Sequence, residues 1–261
     1  MSNIPIATLL TVLAVTLFGG VSGATDYCKQ SCSGTKNIGC NNSGAWGSSC
    51  PSDRALHTLT TAEQNVLLAS HNAHRNFIAG GGESKLSPAC RMATMKWDDE
   101  LAYLASLNVR SCQMSHDACR NTDNFQWAGQ NLAWIGYFDP LNKTASLIKS
   151  VDMWYSEVAN VQQSYIDAYP KSYSGPAIGH FTVMVADRNT HVGCAASTYS
   201  VQGQSYKAFL LACNYAATNV LGIKMYNSCS VPASKCTTGV NPSYQFLCSS
   251  NEVYDVNNLN Y

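Results

Sequence analysis

The sequence predicts an α+β domain, and three observations lead there. Segments with helical periodicity dominate the chain between residues 60 and 161. Apolar and β-branched runs suited to strands follow, at Phe181 to Val185 and at Val192 to Tyr199. Helices together with short strands later in the chain suit an α+β domain. Twelve cysteines, an even number and all located after residue 27, add the third observation: six disulfides made in an oxidising compartment.

Ile4 to Ser22 is apolar or small and uncharged, and Ser22, Gly23 and Ala24 offer a cleavage site before Thr25, so residues 1–24 read as a secretory signal peptide. A membrane anchor is the weaker reading, because the apolar core is short and no basic flank follows. Residues 25–56 are rich in Gly, Ser, Asn and Cys without periodicity, which reads as a disulfide-held arm. A helix then starts on Thr60-x-x-Glu63, the spacing of a capping box. Val66, Leu67, Ser70, His71, His74 and Ile78 share its apolar face, and Gly80-Gly81-Gly82 ends it. The pattern places a second helix at Met95 to Val109, with Asp98, Asp99 and Glu100 near its positive end. A third, from Leu147 to Val161, turns Ile148, Val151, Trp154 or Tyr155, and Val158 inward. Phe181 to Val185, a turn at Asp187-Arg188-Asn189-Thr190, and Val192 to Tyr199 read as a buried hairpin with His180 at its entrance, where an imidazole needs a hydrogen-bond partner or a metal.

Composition narrows the function classes. Only 12% of residues are charged, and 16 basic against 16 acidic side chains leave no net charge. Neither a nucleic acid nor an anionic membrane surface is favoured by such a chain. Cys28-x-x-x-Cys32 lacks the second pair of ligands that a structural zinc would need. The sequons Asn41-Asn42-Ser43 and Asn142-Lys143-Thr144 make Asn41 and Asn142 candidate glycosylation sites.

Several motifs then converge. Gly179-His180-Phe181-Thr182-x-Met184-Val185 with Val192-Gly193-Cys194, and Leu210-Leu211-Ala212-Cys213-Asn214-Tyr215, resemble the two signatures of the CAP superfamily, the cysteine-rich secretory, antigen 5 and pathogenesis-related-1 proteins. His71-Asn72-x-x-Arg75, Trp97-Asp98-x-x-Leu101-Ala102, Gly129-Gln130-Asn131-Leu132-Ala133-Trp134 and Trp154-Tyr155-x-Glu157 match further family motifs in the same order. The cysteine-rich start at Cys28 and the segment His116-Asp117-Ala118-Cys119-Arg120-Asn121 are similar to the insect antigen 5 group.

The resemblance implies a three-layer α-β-α sandwich over residues 57–222, flanked by the arm at 25–56 and by a C-terminal extension at 223–261. That extension holds three cysteines, too few for the ion-channel module of the crisp-type relatives. The resemblance also implies disulfides Cys28 with Cys40, Cys32 with Cys119, Cys50 with Cys112 and Cys194 with Cys213, leaving the partners open among Cys90, Cys229, Cys236 and Cys248. His71 falls on a structural family position, and His57, His74 and His191 are read as packing histidines likewise.

The family's cleft of two histidines and two acidic residues falls on His116, Gln130, Glu157 and His180, with Gln130 standing where glutamate is common. Two imidazoles and one carboxylate suit zinc or copper, held loosely because an amide is a poor ligand; no cofactor is required. On this view Gln130→Glu tightens the metal. A hydrolase using the metal with Glu157 as base is the alternative reading. It is disfavoured because Gln130 is neither acid nor base, and no serine or cysteine triad is legible. Tyr165, Tyr169 and Tyr173 form an aromatic loop where some relatives resemble sterol binders, making a sterol or fatty acid one candidate ligand and an extracellular protein the other candidate partner. No Arg-Gly-Asp is present to support the adhesion-blocking mechanism proposed for some blood-feeder relatives. The expected protein is secreted, monomeric and non-enzymatic.

Overall fold

A five-stranded sheet divides the helices into two layers. The computed structural model describes residues 25–259, so the signal-peptide reading of 1–24 lies outside the described residues. The strands are β1 (Ala55–His57), β2 (Lys96–Trp97), β3 (Gly129–Tyr137), β4 (His191–Ser200) and β5 (Lys207–Tyr215). Their order is β1-β4-β5-β3, antiparallel along that path, and β2 runs parallel to the start of β4. The helices are α1 (Thr61–Ala79), α2 (Asp99–Val109), α3 (Lys143–Ser156), α4 (Gln163–Asp167) and α5 (Gly179–Val185), with a 3-10 turn at Glu157–Asn160 after α3. A small sheet of β6 (Val240–Asn241) and β7 (Tyr244–Cys248) closes the C-terminal extension.

Side-chain alternation along β5 builds both cores. Phe209, Leu211, Cys213 and Tyr215 meet Leu67 of α1, Leu147, Val151 and Trp154 of α3, and Met184 of α5. Ala208, Leu210 and Ala212 face the other way, onto Ala105 and Val109 of α2. The α2 side is lined by small residues, so this helix lies close to the sheet. Gly193 marks the tightest approach: a Cβ there would stand 2.2 Å from the backbone nitrogen of Ala102 and 2.3 Å from the carbonyl oxygen of Asp98. With helices on both faces, the expected three-layer α-β-α arrangement is the observed one.

Local differences from the sequence reading have physical causes. Phe181 to Val185 is helix and not strand, and the hairpin partner of β4 is β5, with Cys194 opposite Cys213. All five of these side chains are buried, so the run carried no periodicity to separate the two possibilities. The capping box at the start of α1 is present, Thr60 N donating to Glu63 Oε2 at 2.8 Å. Its buried stripe also takes in Asn72 and Arg75, while Val66 and Ser70 are only half-buried. The second helix starts at Asp99, because Lys96 and Trp97 are drawn into the sheet beside β4 and Asp98 caps the Leu101 amide at 2.8 Å. The third starts earlier, at Lys143, where Asn142 accepts from the Ala145 amide at 3.0 Å; its Ile148 faces solvent and Leu147 takes the inward place.

Six disulfides staple the chain: Cys28–Cys40, Cys32–Cys119, Cys50–Cys112, Cys90–Cys229, Cys194–Cys213 and Cys236–Cys248. The extension is further held by Glu252, whose buried carboxylate accepts from the amides of Thr237 and Thr238 and from Arg91 Nε at 2.7 Å.

The polar residues of the His71-Asn72-x-x-Arg75 motif are the seams of the fold. Asn72 exchanges two bonds with the Met95 backbone, at 2.9 and 2.8 Å. Arg75 is fully buried and donates to the carbonyls of Ala93 (2.7 Å from Nη2), Met184 (2.6 Å) and Ala186 (2.8 Å). Burial pulls its pKa down to about 10, and the charge is kept by this carbonyl cage. Arg75→Met should leave three buried carbonyls without donors, at roughly 1–3 kcal/mol each before the relief of desolvating the charge. The expected net loss is about 3 kcal/mol, read as a melting temperature lower by roughly 6–12 °C. An unchanged melting temperature would show that the cage does not matter.

His71 is also fully buried, its Nδ1 on the Leu67 carbonyl at 2.8 Å and its Nε2 on the Tyr215 hydroxyl at 2.9 Å. This pattern is that of a neutral ring that donates from Nδ1 and accepts at Nε2. Burial lowers its pKa from 6.5 to about 4, and burial lowers that of His191 to about 4 as well. Both bases bind protons less readily folded than unfolded. Their contribution is therefore fully present above about pH 6.5 and is lost as the pH falls toward 4. The urea midpoint should decline steadily between about pH 6.5 and 4.5, and His71→Gln, less stable at neutral pH, should decline less steeply. A midpoint flat across this range contradicts the assignment.

Candidate functional site

A cleft of about 280 Å³ opens at one end of the sheet, lined by His116, Gln130, Asn131, His180 and Asn219 among others. His116 lies on the exposed loop between α2 and β3, three residues before Cys119, whose bond to Cys32 ties that loop to the arm. His180 is the second residue of α5 and is about one-third exposed. The two rings thus come from opposite layers. β3 joins them, because its neighbouring residues Gln130 and Asn131 point to opposite faces of the sheet.

Each ring is oriented from behind. Gln130 Oε1 lies 2.8 Å from His116 Nδ1, and the Gln130 amide nitrogen donates to Asp117 Oδ2 at 2.5 Å and to Asn214 Oδ1 at 2.9 Å. Asn214 donates in turn to the Leu101 carbonyl at 3.1 Å, which fixes which of its atoms is oxygen. The amide oxygen of Gln130 must then be the atom facing His116, so Nδ1 of that ring carries a proton, and in the neutral ring Nε2 holds the lone pair. On the other side Glu157 Oε1 lies 2.5 Å from His180 Nδ1, while Oε2 accepts from the His180 and Phe181 amides at 2.8 and 3.1 Å. Glu157 therefore caps α5 and fixes the same tautomer in the second ring. Asn131 holds the His180 carbonyl at 3.1 Å and the Tyr215 hydroxyl at 3.2 Å, which joins the cleft to buried His71.

The cleft brings His116, Gln130 and His180 together at its wall and sets Glu157 behind His180. Among the described residues no three His, Cys, Asp or Glu side chains converge on one point to hold an ion. The nitrogen donors in the lining are the imidazoles of His116 and His180, fewer than the ligands of a closed zinc site.

The sequence reading missed Asp117, Asn131 and Asn214. Asp117 is nearly buried and accepts from Arg120 Nε at 2.8 Å, from Asn108 at 3.0 Å and from Gln130. Its place beside His116 was visible in the segment His116-Asp117-Ala118-Cys119-Arg120-Asn121, where Asp and Arg stand three apart. It changes what Gln130 can be. A glutamate at 130 would set one carboxylate oxygen against another at the 2.5 Å contact with Asp117 and against the oxygen of Asn214. One acid of that pair would keep its proton.

Tyr165, Tyr169 and Tyr173 lie elsewhere, half-buried on a core of Ile166, Ile178, Val161 and Phe181. Tyr165 and Tyr173 meet edge to face at 5.4 Å, and the Tyr173 hydroxyl donates to the Pro176 carbonyl at 2.8 Å. Tyr169 is held through its backbone to Ile223 and Gly222. The candidate glycosylation residues Asn41 and Asn142 are both exposed.

Residues 68–215 match the family described as CAP: Cysteine-rich secretory protein family. Venom allergen-1 of Aedes aegypti is 41% identical over 232 residues, covering 87% of this chain and 88% of that protein. The antigen 5 like allergen Cul n 1 of Culicoides nubeculosus is 43% identical over 171 residues, 66% of this chain and 78% of that protein. Among solved structures, that of NaASP2 with Zn2+ aligns with a TM-score of 0.61 at 22% identity, over 77% of this chain and 100% of that one.

Proposed function

Because the chain belongs to the CAP family of cysteine-rich secretory proteins, with insect antigen 5-like proteins among its relatives, we propose that it acts outside the cell by binding and without turnover, holding a divalent metal loosely between His116 and His180. Six disulfides and the absence of any free cysteine among the described residues support an oxidising, extracellular setting. No helix among the described residues is long and apolar enough to cross a membrane.

The observation that carries the reading is the matched pair of tautomers. Gln130 and Glu157 each engage a ring at Nδ1, which leaves two Nε2 lone pairs at the cleft. Imidazole nitrogens with outer oxygen partners are ligands for zinc or copper, and such an ion would supply a positive charge for an anionic group of a partner. The same geometry argues against hydrolysis. Glu157 has both oxygens engaged by three donors, and Asp117 is bonded by Arg120, Asn108 and Gln130, so neither carboxylate is free to take a proton from water. The tyrosine loop gives less support to carriage of a sterol or fatty acid, since its rings already pack on their own domain. An extracellular protein is the favoured partner.

Calorimetry with zinc and copper near pH 7.5 and 5.5 tests the proposal. Uptake should be weak and should fall on acidification, because protons and metal compete for Nε2. His116→Ala and His180→Ala should each reduce affinity at least tenfold, and Gln130→Glu should bind no more tightly than the native chain. Uptake unaffected by losing either histidine would reduce the pair to a polar packing cluster.

A further inference from the structure

A second cavity, of about 220 Å³, shares no lining residue with the imidazole cleft. It exists because the outer edge of β4 is covered in two pieces. β1 pairs with Thr198, Ser197 and Ala196, and β2 with His191 and Val192, which leaves Cys194 and Ala195 as a floor between them. Ala102 and Ser106 of α2 are too small to fill the gap. Its walls are Leu56, Leu59, Trp97 and Tyr103.

Two of those walls are aromatic and held in place. Trp97 donates its indole N–H to Asp99 Oδ1 at 2.9 Å, and Tyr103 stacks on Tyr27 of the arm with ring centres 6.1 Å apart. Tyr27 is in turn bonded to Glu100 at 2.9 Å. Among the described residues Asp99 is the only carboxylate in the lining, and no lysine or arginine lines the cavity. His57, also in the lining, bonds Thr198 through Nε2 at 2.9 Å, and burial keeps its pKa below the ordinary value. Asp98 and Glu100, the sequence neighbours of Asp99, are engaged elsewhere, by the Leu101 amide and the Tyr27 hydroxyl, and Lys143 is paired with Glu63 at 2.7 Å. A cavity with apolar and aromatic walls and one carboxylate in its lining is complementary to a cation that carries an apolar body.

We propose that this cavity binds small organic cations, an ammonium group on an aromatic or aliphatic body, with the body between Trp97 and Tyr103 and the charge at Asp99. The volume lies below the ~300–1,000 Å³ of pockets for drug-sized ligands, which limits the body to about one ring and a short chain.

Three probes of one shape decide the matter: 2-phenylethylamine, 2-phenylethanol and phenylacetate, titrated by calorimetry into the purified, disulfide-bonded protein. The amine should bind at least tenfold more tightly than the alcohol, and phenylacetate should show no binding. Asp99→Asn should erase the preference for amine over alcohol. Ala102→Leu should abolish binding of both by filling the cavity; Ser106→Leu fills it from another point, so loss in both, with native melting curves, is expected. Equal affinity for the three probes, no binding of the amine at millimolar concentration, or full binding by the filled variants overturns the proposal. None of these results depends on metal uptake at His116 and His180.

Discussion

The positive charge of Arg75, sealed from water, is the constraint on which the arrangement of this fold and of its cleft depends. A guanidinium cannot give up its proton at ordinary pH, so once buried it must be surrounded by acceptors. The acceptors here come from the segment before β2 and from the end of α5. They include Met184 and Ala186, at a helix terminus where carbonyls lack partners of their own. Glu157 does the converse work at the other end, accepting the first amides of α5. A seven-residue helix is too short to persist by itself, and it is held between an anion at its amino end and a cation at its carboxyl end, the sense that its dipole favours. His180 has a fixed direction because α5 has a fixed position.

The cleft is therefore an extension of the core and not a loop feature placed upon it. Tyr215 and Asn214 are successive residues of β5 and point to opposite layers. The first links His71 to Asn131 and the His180 carbonyl; the second links the Leu101 carbonyl to Gln130 and His116. Two buried polar chains thus run from opposite helix layers to two rings at one mouth. Buried polar networks are favourable only when every member is satisfied, and along both chains each side chain named has its partner.

How much of this was legible in the sequence depended on whether the signal was local. The start of α1 was readable because a capping box is written in four consecutive residues, and α2 because three acids stand at its positive end. The strand assigned to Phe181 to Val185 failed because its helical form is fixed by Arg75 and Glu157, residues far off in the chain. His116, Gln130, Glu157 and His180 could be named from motif positions, but their division into two rings and two orienting groups could not. That division lies in Asp117, Asn131 and Asn214, whose residue types are common and whose meaning appears only when β3 and β5 are paired with Gln130 opposite Asn214.

Asp117 explains why an amide suits position 130. The residue there must accept from His116 and donate to both Asp117 and Asn214, three bonds that use both kinds of atom at once. An amide offers an acceptor and two donors in one plane without charge, whereas a carboxylate offers acceptors only. Asp117 has its counter-ion in Arg120, and Glu157 is matched by the amides of α5. Both acids are thus engaged behind the two imidazoles that line the cleft. Gln130 is then not a weakened copy of a glutamate but the connector that allows Asp117 and His116 to stand side by side.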